Sequence, residues 1–368
     1  MKVIYVYSEL PAYVRVKKNL SILSDYCTDV LYVGANRNGA SSFECDFPDN
    51  VACEIYDKAI PHGGFNSIIS SLGFAKFALE VINENKSDLI IFANEELLWL
   101  KFFISYKPRV VCEILDSLEI RTVGLVSFLN PLFKLYCRYF YKECSHLIDV
   151  SEARIRHRNV VHKNICLIPN KPAEFEMEKA FVEIEGIHRT TYIYVSGSIL
   201  PDISGVEVLL KAVELLGVPD FKIVYSGRLR GRWADEVFFS NPNVINLGEL
   251  TSSQSLLVAQ NSIGMFAYYK PINLNYILAA PNKVADALYL SKIIFINSEC
   301  KVSELTKKAS IGLTARFDDY QALANNISNV LNECFMPCSH TAKYVYEKNF
   351  SENAILRNWE KVLLNHEL

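Results

Sequence analysis

Three stretches of sequence, Tyr268-Tyr-Lys-Pro-Ile-Asn-Leu-Asn-Tyr276, Ala280-Pro-Asn-Lys-Val-Ala-Asp-Ala-Leu288 and Ser291-Lys-Ile-Ile-Phe-Ile-Asn297, follow one another almost without interruption. The apolar run Ile263–Tyr268 predicts a buried strand that ends in aromatics and a polar loop. Pro281 then opens a helix, at a position where its missing N–H costs nothing. Ile293–Ile296 predicts the next strand. Lys283 falls in the first helical turn, where the helix dipole disfavours a cation unless an anion is near. Asp286 follows one turn later on a similar face. A lysine and a carboxylate so placed suit a diphosphate and a ribose diol; an i,i+3 salt bridge is the plainer reading.

The same alternation extends outward in both directions. Upstream lie the predicted strands Thr191–Ser196, Phe221–Ser226 and Val244–Leu247, with helices Gly205–Leu216 and Ser252–Asn261. Downstream lie strand Ile311–Thr314 and helix Tyr320–Leu331. Residues 173–188 are charged, lack a core pattern and form the expected interdomain connection. Before them runs a second series, with strands Val3–Tyr7, Asp29–Gly34, Val51–Tyr56, Asp88–Ala93, Arg109–Leu115, His146–Val150 and Asn164–Ile168. Its helix candidates are Ala12–Ser24, Phe65–Asn83, Glu95–Tyr106 and Gly124–Glu143. Several strands are apolar throughout, as strands covered on both faces must be. The expectation is α/β, with two doubly wound parallel-sheet domains facing a cleft: residues 1–172, a linker over 173–188, and residues 189–350. The tail over 351–368 places Ile355, Leu356, Trp359, Val362 and Leu363 on one helical face, which either closes the second domain or crosses back to brace the first.

Bulk properties narrow the class. A chain of 368 residues is long enough for two domains, and with half its residues hydrophobic each can bury a core. Lys+Arg 38 against Asp+Glu 41 gives no basic bias toward nucleic acid. The apolar run at the N-terminus is too short for a signal peptide, and none approaches the ~18–20 residues of a spanning helix. A cytoplasmic chain is expected, with the inner membrane face as a second candidate location. The ten cysteines form no C-x-x-C pair and read as buried, reduced thiols; no metal set is expected.

Two further loci carry chemistry. Tyr194-Val-Ser-Gly-Ser198 ends a strand in a small-residue turn before the helix at Gly205, so Ser196, Gly197 and Ser198 can bring backbone N–H groups to a phosphate. Val224-Tyr-Ser-Gly-Arg-Leu-Arg-Gly-Arg232 leaves its strand through Gly227 and offers Arg228, Arg230 and Arg232, whose guanidinium forks match a diphosphate. A plain βα turn and a solvated basic loop are the alternatives. A third feature is the aromatic and basic stretch Leu118–Glu143, which suits either a core-packing helix or one resting on a bilayer.

At this point the sequence resembles a known group. Pro281-Asn-Lys-Val-Ala-Asp-Ala-Leu288 followed by Leu290-Ser-Lys-Ile-Ile-Phe295 is similar to the donor-domain loop of GT-B glycosyltransferases, especially glycosyltransferase family four and its capsule and O-antigen relatives. Cys144-Ser-His-Leu-Ile-Asp-Val-Ser151, Ile168-Pro-Asn170 and Val244-Ile-Asn-Leu-Gly-Glu-Leu250 resemble further segments of that family. The resemblance implies a nucleotide-sugar donor (UDP-, GDP- or dTDP-linked), no bound cofactor, and a glycan or lipid-linked acceptor. The donor would be bound by Ser196, Gly197, Ser198, Arg228, Glu249, Tyr268, Asn282, Lys283 and Asp286, with Lys283 on phosphate and Asp286 on ribose. Asp116, at the end of Val111-Cys-Glu-Ile-Leu-Asp116, is the candidate acceptor-side base, with Glu113 and Glu9 behind it. The sequence departs from the family where an Arg and a Lys commonly meet the diphosphate, which here are Ser198 and Ser204, and at Leu278 in place of a glutamate. Those departures keep two alternatives open, a nucleotide-sugar epimerase or hydrolase of the same fold and a catalytically weak partner subunit.

Overall fold

The computed structural model describes residues 1–11, 14–36, 47–58, 60, 65–115, 117–118, 128–170, 190–200, 202–228 and 238–364. Asp116, Arg230, Arg232 and the expected linker over 173–188 lie outside the described residues. The chain divides into two compact units, Met1–Ile168 with Ile355–Leu368, and Pro169–Ala354.

The first unit is built on a seven-stranded sheet of order β3-β2-β1-β4-β5-β6-β7. Its strands are β1 (Lys2–Val6), β2 (Asp29–Ala35), β3 (Val51–Tyr56), β4 (Leu89–Ala93), β5 (Arg109–Ile114), β6 (His146–Asp149) and β7 (Ile165–Leu167), all paired in parallel. Strand β1 shows why the apolar runs are continuous. Ile4 and Val6 enter one core with residues of α2 (Phe65–Asn85) and α3 (Asn130–Lys142). Val3 and Tyr5, pointing the other way, enter a second core with α1 (Val14–Tyr26). Helix α4 (Glu152–Arg158) follows β6.

The second unit carries a six-stranded sheet of order β10-β9-β8-β11-β12-β13. Its strands β8 (Tyr192–Ser196), β9 (Lys222–Ser226), β10 (Val244–Asn246), β11 (Gly264–Ala267), β12 (Ile293–Asn297) and β13 (Gly312–Ala315) are again all parallel. One face is covered by α5 (Val206–Leu216) and, after α6 (Ser252–Asn261), α7 (Leu274–Ile277), α8 (Asn282–Leu290) and α9 (Ser303–Lys308), by α10 (Tyr320–Leu331). The other face is covered by α6, α8 and α11 (Ser339–Asn349). Both sheets are thus doubly wound.

The last helix, α12 (Glu352–Leu364), packs on the first unit. Ile355, Trp359, Val362 and Leu363 enter the same core as Tyr5 and Leu20. The Arg109 guanidinium donates to the carbonyls of Val362 and Leu363 at 3.3 and 2.6 Å, a cation at the negative end of the helix. Asn358 donates to the Leu167 carbonyl at 2.8 Å.

One expected helix is corrected. Glu95–Tyr106 is not an α-helix; only Leu98–Phe103 winds, as a 3-10 turn of six residues. The cause lies at its start, where Asn94 takes a left-handed φ of 70° and the buried Glu95 side chain is drawn inward to bond Tyr141. Six described cysteines are buried, Cys53 is half-buried, and Cys334 and Cys338 are exposed.

Trp359 is fully buried. Trp359→Ala should lower the stability of the first unit by about 3–5 kcal/mol, the transfer and cavity cost of a large core aromatic, measurable as a shifted urea midpoint at unchanged slope.

Candidate functional site

The ends of β8, β9 and β10 are joined through three glycine turns. Gly197, Gly227 and Gly248 follow these strands and all have positive φ, 89°, 139° and 68°. The Gly197 N–H donates to the Ser226 carbonyl at 2.8 Å, the Gly227 N–H to the Gly248 carbonyl at 2.8 Å, and the Gly248 N–H to Asn246 Oδ1 at 2.9 Å. A methyl group on Gly227 would come within 2.7 Å of the Gly197 carbonyl carbon. The expected phosphate donor at Gly197 is therefore corrected: its N–H is spent on the neighbouring strand. The Ser198 N–H, on an exposed residue, has no partner among the described residues.

Helix α5 starts beside this turn. Its N-cap is Gly205, with φ 63° and no capping side chain, so the first-turn N–H groups have no intrahelical partner and no cap. A side chain at Gly205 would meet Tyr268 Cβ at 2.6 Å. Ser204, where the family commonly has lysine, closes the turn instead: its hydroxyl accepts the Leu200 N–H at 3.0 Å.

Tyr268 is not presented at the surface. It is 2% exposed, stacked on Phe266 with ring centroids 4.6 Å apart, and its hydroxyl has no partner among the described residues. Burial, with lesser effects from Glu299 and Asp319, pushes its phenol well above the usual range. Its part is to wedge Gly205 rather than to line the turn. The next residue does face the helix start: the Lys283 ammonium stands 5.6 Å from the centre of the Tyr269 ring. Lys283 makes no ion pair among the described residues, so the i,i+3 bridge to Asp286 is not formed. Pro281 occupies the N-cap of α8 and Asn282, exposed, its first turn. Asp286 lies close to a buried hydroxyl cluster. Tyr194 bonds the Ser226 hydroxyl and, at 2.8 Å, that of Ser255. Burial raises the Tyr194 phenol, those two bonds pull it down, and Asp286 raises it further.

Arg228 and Glu249, proposed separately, are brought together. Arg228 Nε donates to Glu249 Oε2 at 2.8 Å, with both side chains largely exposed. A residue the sequence reading missed is Asn297, fully buried at the end of β12. Its amide holds the Tyr269 backbone from both sides, accepting the N–H at 2.8 Å and donating to the carbonyl at 3.0 Å. The available signal was an amide closing an otherwise apolar strand.

The corresponding edge of the first sheet is sealed by charge. Glu113 is 0% exposed; it accepts from Arg15 Nε at 2.8 Å, from Asn19 at 3.0 Å and from the Tyr5 hydroxyl. Arg15 also donates to the Ile168 carbonyl at 2.8 Å. Glu113 is thereby removed as a base candidate. Glu95 accepts from Tyr141 at 2.6 Å and from the Leu118 N–H at 3.2 Å, and Arg158 joins Tyr141 at 2.8 Å and Asp149. Burial pushes the Glu95 and Asp149 carboxyls up, while Arg158 works against that rise. Asp116 lies outside the described residues.

No family model and no curated sequence matches the chain. Solved structures do match over their full length. The sucrose-phosphate synthase of Thermosynechococcus elongatus superposes with a TM-score of 0.73 at 11% identity, covering 99% of this chain and 98% of that one. HepE of Anabaena, solved with UDP and glucose, gives 0.70 at 14% identity over 100% of both chains. A glycosyltransferase from Rickettsia africae gives 0.68 at 13% identity over 99% of both. The chain has the GT-B fold of these proteins.

The glycine contacts make a direct prediction. Gly217, with φ 58° and open space at Cβ, should accept alanine at about 1–2 kcal/mol of backbone cost. Gly227→Ala should lose roughly 1–3 kcal/mol more, because the Gly197 peptide must move. Thermal unfolding of the two variants compares them directly.

Proposed function

We propose that the chain is a glycosyltransferase, which moves a sugar from a nucleotide-sugar donor to a glycan or lipid-linked acceptor. The observation that carries this reading is Lys283. It places an ammonium, without a carboxylate partner among the described residues, in the first turn of α8, an arrangement that favours an anion at the same edge where β8 and β9 end. The uncapped start of α5 and the unpaired Ser198 N–H add donors for the same charge. The UDP and glucose held by HepE support a nucleotide diphosphate as the donor's handle.

In this reading the second unit is the donor side. Glycosyl transfer builds negative charge on the departing diphosphate, and fixed donors stabilise it most where they need not reorganise. Lys283, Ser198 N–H, the α5 first turn and Arg228 would meet that charge. Asp286 and Asn282, on the first turns of α8, would take the ribose. Arg228 must first exchange Glu249 for phosphate. The first unit would hold the acceptor, with Asp116 as the base that takes its proton. The Arg228–Glu249 pair also favours the second reading, a GT-B partner subunit with weak nucleotide binding, because it neutralises a cation that the donor would use.

Calorimetry with UDP, GDP, CMP and dTDP separates the two. A clear preference for one nucleotide is expected; no binding by any to the folded protein supports the partner-subunit reading and overturns ours. Lys283→Ala should weaken binding of the preferred nucleotide about ten- to hundredfold, the loss of one charge-assisted contact. An unchanged affinity takes Lys283 out of the site. Asp116→Asn should lower turnover by about 10²–10⁴ and leave nucleotide affinity as it was; normal turnover ends its role as base.

A further inference from the structure

Between β11 and α8 the chain makes an excursion over residues 270–280 that begins and ends at the edge where α5 and α8 start. It leaves from Tyr269, whose ring centre lies 5.6 Å from the Lys283 ammonium. It returns at Pro281, the N-cap of α8. On the way out, the Lys270 N–H donates to the Ile203 carbonyl at 2.9 Å, two residues before the N-cap of α5. On the way back, the Lys301 N–H donates to the Ile277 carbonyl at 2.9 Å and the Cys300 thiol to the Tyr276 carbonyl at 3.3 Å. The excursion is thus tied to the start of α5, to the start of α8 and to the loop after β12.

Its side chains are arranged the wrong way round for a solvated loop. Asn273 turns back to cap α7, accepting the Tyr276 N–H at 3.1 Å. Lys270 and Asn275 are half-buried. The exposed residues of 270–280 are Ile272, at 59%, and Leu274, at 38%. Water favours the opposite distribution. The stretch also holds no Asp or Glu, and Leu278, where the family has a glutamate, is buried. Hydroxyl groups of a ligand need polar partners once they leave water, and a carboxylate is a strong one. Here two branched aliphatic side chains stand in that position, and what they reward is a methyl group taken out of water. Two side chains fall far short of the roughly 1,000 Å² of a stable protein contact, so the occupant is small.

We infer that Ile272 and Leu274 receive the sugar of the donor and select one that bears a methyl group, as an N-acetyl or a 6-deoxy sugar does, over the plain hexose. This rests on the transferase reading, in which the diphosphate lies at the starts of α5 and α8 and the sugar attached to it meets the adjoining excursion.

The test is calorimetry of the full chain with matched donors: UDP-glucose and UDP-N-acetylglucosamine, dTDP-glucose and dTDP-6-deoxyglucose, GDP-mannose and GDP-6-deoxymannose. Within each pair the sugar differs at one carbon. For the base that binds, the methyl-bearing donor should bind about four- to tenfold tighter, the gain from one methyl group against an apolar surface. Ile272→Ser with Leu274→Ser should make the two donors of that pair equal, by weakening the methyl-bearing one. Both positions are exposed, so unchanged circular dichroism and an unchanged urea midpoint verify the fold of the variant. Equal binding within the pair, tighter binding of the plain hexose, or a preference that survives in the double variant overturns this inference and leaves the transferase reading standing. If UDP, dTDP and GDP all fail to bind the folded protein, no diphosphate lies at this edge and the inference falls with it.

Discussion

Every strand pairing in both sheets is parallel, and the remaining features of the structure follow from that constraint. Parallel strands end together along one edge, and each must leave its last backbone groups to a loop. The first sheet closes that edge with side chains. Asn94 Oδ1 accepts the Leu115 N–H at 2.9 Å, Glu95 gathers Tyr141 and Leu118, and Glu113 is held by Arg15, Asn19 and Tyr5. Buried ions cost several kcal/mol each unless paired and bonded, so these carboxylates require their partners. The second sheet closes its edge with backbone. Gly227 lets the Gly197 peptide approach where no side chain fits, and Gly197 and Gly248 take positive φ with open space at Cβ among the described residues. The same topology therefore yields one sealed edge and one accessible edge.

That contrast also explains the firmness of α3. Glu95 belongs to the sealed edge, and both of its tyrosine partners come from the inner face of this helix. Of the two roles that the sequence leaves open for this stretch, core packing is seen on that inner face, while Leu132, Leu135 and Tyr139 on the outer face are exposed. A helix anchored by a buried charge network can carry an apolar outer stripe without turning it inward, because rotation would break bonds to Glu95.

The fold was legible because strands covered on both faces must be apolar throughout. Val51–Tyr56, Ser252–Asn261 and Tyr320–Leu331 have the predicted bounds, and most other elements differ by one or two residues. The misses have local causes. Leu274–Ile277 and Ser303–Lys308 are too short for a helical period to emerge. Ser339–Asn349 buries only Ala342 and Tyr346, a pair four apart on a polar background. Glu95–Tyr106 has helical composition but begins at a left-handed asparagine. In the candidate site, the placement of Lys283 and Asp286 on one helix was legible because it is set within one helical turn. The Arg228–Glu249 pair and the Asn297 brace were not, since their partners lie 21 and 28 residues away across neighbouring strands. Tyr268 was misread because an aromatic at a strand end is equally suited to a ligand face or to a core, and here the wedge against Gly205 decides.

The pairing of Arg228 with Glu249 bears on how the second unit could compensate for Ser198 and Ser204. An exposed ion pair contributes about 0–1 kcal/mol, since water solvates both partners nearly as well when they separate. Losing Glu249 would therefore cost Arg228 little, whereas a diphosphate offers two parallel oxygens and more charge than a carboxylate. Glu249, released, would turn to solvent. The pair holds the guanidinium near the Gly227 turn without fixing it there, and its backbone is already in place, with the Arg228 carbonyl accepting the Ile199 N–H at 3.1 Å. Lys283, by contrast, stands over an aromatic face and has no carboxylate to release among the described residues. Under the transferase reading the two cations thus differ in kind: one is standing charge, and the other is charge that binding must recruit.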